Sequence, residues 1–263
     1  MSTIVIIIVL LLLVAVGAGA YYMMNQTPEE VPDIIGPTLP PTPVDPFPYD
    51  ISGLSGRYTI ESASESEWKD ISGLENHASV DRGTLKVTPT EVSGTPDDGV
   101  KFPVEVFGAR DVYTLFYVAK YNGTTRKRIF DGINNNWLSS FSGGKVGVTH
   151  HRSWMTPNTS IHPGDEWLMA TDSIGLYRTN GRNRVTVDGN EDSTDQITIN
   201  SGHYSTTSNP QTSDWAVKEV IFYNRKLSEP EIIKVEKYLK DRYMSSGTEY
   251  YTIYESGIEG FSL

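Results

Sequence analysis

The sequence predicts an all-β domain, a two-sheet antiparallel sandwich closed by one carboxy-terminal helix, behind an amino-terminal transmembrane helix and a proline-rich linker. Three observations predict it. From about Tyr49 to Tyr243, short runs of β-branched and aromatic residues recur between clusters of Gly, Asn, Asp and Pro, the pattern of strands joined by tight turns. Near the end of that region the apolar spacing switches to the helical period. The chain also opens on an unbroken apolar run, and a stretch dense in proline follows it.

The anchor comes first. Ile4 to Ala20 carry no polar side chain, and with Tyr21, Tyr22, Met23 and Met24 the run reaches the roughly 20 residues that cross a hydrocarbon core. Tyr21 and Tyr22 stand where an interfacial aromatic belt belongs. The rival is a cleaved signal peptide, for which Ala18-Gly19-Ala20 is a passable site. Met1-Ser2-Thr3 lacks the lysine or arginine of a signal n-region, so residues 1–24 are read as a retained span. No Lys or Arg precedes Arg57, so the positive-inside rule has no charge to count. The default orientation places the large acidic domain outside.

Residues 25–49 are read as the stalk. Pro28, Pro32, Pro37, Pro40, Pro41, Pro43, Pro46 and Pro48 exclude helix and favour extended polyproline geometry, a semi-rigid spacer at about 3 Å per residue. Plain disorder is the alternative.

Residues 50–246 are read as the sandwich. Its clearest strand runs are 112–119, 144–149, 184–187, 196–199 and 216–223, and the first is apolar on both faces, as a centrally placed strand requires. Asn180-Gly181 and Asp188-Gly189 are hairpin-turn dipeptides, because both tolerate positive φ. One helix follows the last run. Ser228, Pro230 and Glu231 make a capping-box start, and Ile232, Val235, Leu239 and Tyr243 line one face until the helix ends near Met244 to Gly247. Residues 247–263 form a tail with Tyr250, Tyr251, Tyr254 and Phe261, too apolar for a simple frayed end. It is read as a docking element.

Composition narrows the function classes. The net charge of −11 argues against nucleic acid, whose phosphates require a basic stripe. Arg126, Lys127 and Arg128 cluster, and are read as one solvated turn or strand edge. There is no cysteine, which excludes disulfides, thiolate metal sites and a cysteine nucleophile. Fifteen tyrosines suit half-buried strand positions and surfaces that bind sugars or proteins.

Two segments resemble the laminin-G-like, or concanavalin A-like, jelly-roll superfamily. One runs from Trp68 through Asp70, Ser72-Gly73 and Asn76-His77-Ala78; the other is Glu219 to Glu229, continuing through Glu231, Val235, Tyr238 and Leu239. Asp165-Glu166-Trp167 and Asp214-Trp215 fall at plausible places between them. The likeness covers roughly residues 50–243, and its motifs are structural, so it speaks for fold and little for function. Such a domain behind an amino-terminal anchor also resembles virion proteins of large DNA viruses. Read without the family, Trp68 is a core plug before it is a sugar platform. Asp70, Ser72 and Asn76 make turn hydrogen bonds, and His77 packs or caps.

Catalysis is not expected. A glycoside hydrolase needs two carboxylates facing each other about 5–10 Å apart, and no strand carries them in alternation on one face. Asp188, Asn190, Asp192 and Asp195 gather oxygen ligands of the kind calcium prefers, without EF-hand spacing, and a solvated acidic hairpin loop is preferred to a calcium site. No other cofactor is implied. His150 and His151 point to opposite faces if they lie on a strand, and cannot readily chelate one ion. His162 and His203 have no nameable partner. Asn122 and Asn158 sit in glycosylation sequons within turn-like segments, and Asn25 heads a third.

These readings converge on a membrane-anchored, non-catalytic binding module whose rim aromatics, Trp137, Trp154 and Tyr204, meet a carbohydrate or a protein. The alternative is a structural protein, a minor capsid or other virion component, that links a membrane to neighbouring subunits.

Overall fold

A computed structural model describes residues 47–109, 112–186 and 196–244. Among them the chain forms sixteen strands and one α-helix. The first eight strands are β1 (Leu54–Thr59), β2 (Glu67–Trp68), β3 (Ala78–Arg82), β4 (Lys86–Val87), β5 (Val92–Gly94), β6 (Gly99–Lys101), β7 (Thr114–Tyr121) and β8 (Phe130–Gly132). The rest are β9 (Trp137–Ser142), β10 (Lys145–His151), β11 (Ser153–Trp154), β12 (Leu168–Ser173), β13 (Leu176–Thr179), β14 (Arg182–Thr186), β15 (Ile197–Ile199) and β16 (Trp215–Tyr223). The helix, α1, is Glu229–Tyr243.

The strands make two sheets, and every pair is antiparallel. Sheet one runs β14-β13-β12-β7-β16-β5-β4, with β1 sharing the β5 edge of β16. Sheet two runs β11-β10-β9-β8-β15-β6-β3-β2. The two-residue turn between β13 and β14 holds Asn180 and Gly181 at φ +47° and +78°, the left-handed pair a tight hairpin demands.

Strand β7 explains why its sequence is apolar throughout. Leu115, Tyr117 and Ala119 face the core between the sheets, while Phe116 and Val118 face a second core under α1. The first core holds Trp68, Tyr58, Phe102 and Phe222 in edge and tilted ring contacts 5.0–6.4 Å apart. The second packs Ile232, Val235, Tyr238 and Leu239 of α1 onto Met169, Ile221 and Tyr223 of sheet one.

The helix starts as expected. Glu231 reaches back to the Ser228 N–H at 2.8 Å, Pro230 lies in the first turn and Met244 closes the helix. Buried ion pairs fix its angle on the sheet. Glu236 accepts two hydrogen bonds from Arg178, both 2.9 Å, and one from Thr171 at 2.7 Å. Glu219 accepts from Arg57, Tyr238 and Tyr243.

The stalk boundary moves. Phe47, placed in the linker by its proline neighbours, is 7% exposed, packs in the second core, and has the Arg57 guanidinium 4.0 Å above its ring. The folded part therefore begins at or before Phe47. The predicted membrane span and the tail from residue 247 lie outside the described residues. Among the described residues no helix is long and apolar enough to cross a membrane.

Candidate functional site

The two outer faces of the sandwich differ. That of sheet one is covered by α1 and the Phe47–Ile51 segment; among the described residues, that of sheet two carries no helix. Register pairing places one row of side chains across this second face: Lys101 on β6, Thr198 on β15, Asp131 on β8, Leu138 on β9, His150 on β10 and Trp154 on β11. Directly paired residues share a face, and the alternate residues Val100, Phe130, Trp137 and Ile199 point into the core.

Arg128 organises the middle of the row. It donates to Asp131 at 2.9 Å and to Asn136 at 2.6 Å, and its guanidinium lies 4.5 Å over the Tyr204 ring. Asp131 is 2% exposed because the 201–205 turn lies against it; a Cβ at Gly202 would stand 2.5 Å from its carboxyl carbon. Burial pushes the Asp131 carboxyl up to about 6, against the pull of Arg128 and of the Gly132 and Tyr204 N–H groups. His150 donates from Nδ1 to the Asn136 carbonyl at 2.6 Å and meets the Trp154 ring edge-on at 5.2 Å. Burial lowers its pKa below the ordinary histidine value. The basic run is solvated only in part: Arg126 is exposed, whereas Arg128 turns onto the sheet. Lys127 bonds Asn209 and Pro210 of the loop that Arg128 clamps, and Arg126 lies 5.8 Å over Tyr121.

Beyond this hub a groove of about 270 Å³ opens, lined by Asp81, Arg82, Lys101, Ser201, His203 and Thr206 among others. Asp81 takes the Lys101 ammonium at 2.8 Å and the Ser201 hydroxyl at 2.6 Å.

Two of the three aromatics proposed from sequence lie on this face. Trp154 is 42% exposed at its edge, and Tyr204 is half-buried at its centre beside the exposed His203. Trp137 requires a correction. It occupies an inward position of β9, is fully buried, donates to Tyr113 at 3.0 Å and stacks on His151, so it meets no ligand at the surface. The proposed calcium ligands Asp188, Asn190, Asp192 and Asp195 lie outside the described residues; among those described, no group of three or more His, Asp or Glu could hold a metal ion. Asn122 and Asn158 are both exposed.

No protein-family model matches the sequence, and no curated protein matches it. Solved structures do. Trypanosoma rangeli sialidase in complex with sialic acid superposes with a TM-score of 0.50 at 16% identity, over 74% of this chain and 34% of the sialidase. Domain 4 of AbnA, a GH43 extracellular arabinanase from Geobacillus stearothermophilus in complex with arabinotriose, gives 0.51 at 14% identity, over 70% of this chain and 97% of that domain. The binding domain of botulinum neurotoxin DC in complex with SialylT gives 0.51 at 14% identity, over 74% and 52%. The chain spans about a third of the sialidase and about half of the toxin chain. These neighbours are β-sandwich domains of lectin and glycosidase kind. The fold is consistent with a jelly roll, and at such identities the likeness reaches no further than fold.

The family-like motif around Trp68 is structural in this fold. Trp68 is fully buried and donates to the Thr59 carbonyl at 2.8 Å. Asp70 accepts from the N–H groups of Arg57, Ser72 and Asn76, and His77 Nδ1 accepts from the Asp70 N–H. His150 and His151 do face opposite sides. His151 points inward, where its Nε2 stands 3.0 Å from Asp172 but off the line of a hydrogen bond. Asp172, fully buried, accepts from Tyr113, Ser139 and Thr149. Burial above all, and then the nearby carboxylate, holds the Tyr113 hydroxyl well above its usual pKa, so it stays a donor. His162 does find partners, Thr179 at 3.0 Å and Arg184 at 3.2 Å, and burial lowers its pKa to about 4.

Sequence reasoning missed Arg128, Asp131, Asn136, Lys101 and Asp81. The signal available was a lone carboxylate, Asp131, directly after the apolar pair Ile129-Phe130 and three residues beyond Arg128.

Proposed function

We propose that the chain is a non-catalytic carbohydrate-binding module whose binding surface is the outer face of sheet two, held outside a membrane by its amino-terminal anchor and stalk. One observation carries the reading. Of two otherwise similar sheets, one is sealed by a helix, while the other presents an exposed tryptophan, a cation-backed tyrosine and a groove of paired donors and acceptors. Aromatic faces with a few fixed polar groups suit sugar rings, which have apolar faces and hydroxyl edges. The arabinotriose and SialylT complexes of the structural neighbours favour the same ligand class. The engagement of the carboxylates favours binding without hydrolysis: Asp81 is held by Lys101 and Ser201, and Asp131 by Arg128.

A glycan array probed with the full chain tests the proposal. Saturable binding to a defined set of glycans, weakened in Trp154→Ala and in Tyr204→Ala, is expected. Unchanged binding in both variants moves the site elsewhere, and release of free sugar makes the protein an enzyme.

The structural-assembly reading keeps one supporting observation. Ile71, Leu74 and Val104 are 39%, 56% and 52% exposed on two loops that are both tied to Ser55. Self-association abolished by Leu74→Asp with glycan binding intact would favour it.

A further inference from the structure

We propose, resting on the carbohydrate reading above, that the ligand is a linear oligosaccharide lying across the strands of sheet two and held at two separated subsites. The register row sets its length. From Lys101 on β6 to Trp154 on β11 the row crosses five strand spacings, about 24 Å at the usual interstrand distance. Its middle is roofed: Thr198, Asp131 and Leu138 are at most 2% exposed, beneath Arg128, Asn136 and the Tyr204 turn. Its two ends are open. A single sugar cannot touch both, whereas a chain passing over the Tyr204–His203 ridge can.

The ends differ in chemistry. Trp154, 42% exposed, stands on a two-residue edge strand with the His150 ring perpendicular to its own; an exposed indole suits stacking on the apolar face of a sugar ring. In the groove a carboxylate and an ammonium stand 2.8 Å apart with a hydroxyl beside them. Adjacent acceptor and donor match a vicinal pair of sugar hydroxyls. Asp81 balances Lys101, and Arg82, which donates to the carbonyls of Asn200 and Pro96, keeps its positive charge at the groove wall.

The test is titration calorimetry of the full chain with two neutral ladders, arabinan and β-1,4-glucan oligosaccharides from monosaccharide to hexasaccharide. Affinity for one neutral ladder should rise at least about tenfold from disaccharide to hexasaccharide, as expected when a second aromatic contact is gained. Trp154→Ala should erase that gain, while Trp154→Phe keeps most of it. Lys101→Ala should weaken every length. Equal affinity along the ladder, or a Trp154→Ala loss of the same factor at all lengths, overturns the two-subsite inference while the carbohydrate reading stands. No binding of any glycan removes the carbohydrate reading, and this inference with it.

Discussion

At the scale of single residues, burial decides which chemistry each side chain keeps. Trp137 and Trp154 are both tryptophans in turn-rich sequence, yet one is sealed beside Tyr113 and the other stands at a sheet edge. Parity across the paired strands β9, β10 and β11 separates them, since Trp137 pairs with inward His151 and Trp154 with outward His150, and parity follows from register, which a single sequence does not fix. Asp131 is the residue whose titration is most informative. Its carboxyl rises from 3.8 to about 6 on folding, so folding takes up a proton between those values. Its stabilising contribution is fully present below about pH 4 and is lost as pH rises through about 6. The shift corresponds to about 3 kcal/mol. Denaturation of the wild type and Asp131→Asn across pH 4 to 7 should show the variant gaining on the wild type by up to that amount. A difference independent of pH would place the Asp131 carboxyl at its ordinary value.

At the scale of elements, α1 is clamped by charge as well as by its apolar stripe. Removing Glu236 takes both carboxylate hydrogen bonds from the buried Arg178 guanidinium, which also donates to Gly181 O. Glu236→Ala should therefore cost about 3–5 kcal/mol in chemical denaturation, against about 1 kcal/mol for the exposed cap change Ser228→Ala. Equal, small losses would mean the ion pair contributes nothing beyond packing. This helix was legible because its start is written locally in Ser228, Pro230 and Glu231 and its face in the 3.6-residue period. The strands around β7 and β16 were legible for the same reason. The binding face was not. Lys101, Asp131, His150 and Trp154 are scattered over 54 positions of sequence and meet only through pairings of β6, β15, β8, β9, β10 and β11. The 201–212 loop over Asp131 is likewise fixed by long-range bonds from Lys127, Arg128 and Asn200, which no local pattern announces.

At the scale of the whole molecule, the sandwich and its anchor are separable predictions. A fragment of residues 44–246 should fold alone with a β-dominated circular dichroism spectrum. A fragment starting at residue 50 should be less stable by about 3 kcal/mol, because it loses the buried Phe47. Intact mass of the native protein should retain residues 4–24, and a mature terminus at Tyr21 would instead mark a cleaved signal. The central claim is that ligand meets sheet two and not sheet one, and the five tryptophans supply a direct test. Trp68, Trp137 and Trp215 are fully buried, Trp154 lies on the proposed face, and Trp167 lies on the opposite one between Lys120 and Lys218. The measurement is a tryptophan-fluorescence titration with a bound glycan, in the wild type, Trp154→Phe and Trp167→Phe. The ligand-induced change should persist in Trp167→Phe and vanish in Trp154→Phe; the reverse pattern would put the binding surface on sheet one and contradict the assignment.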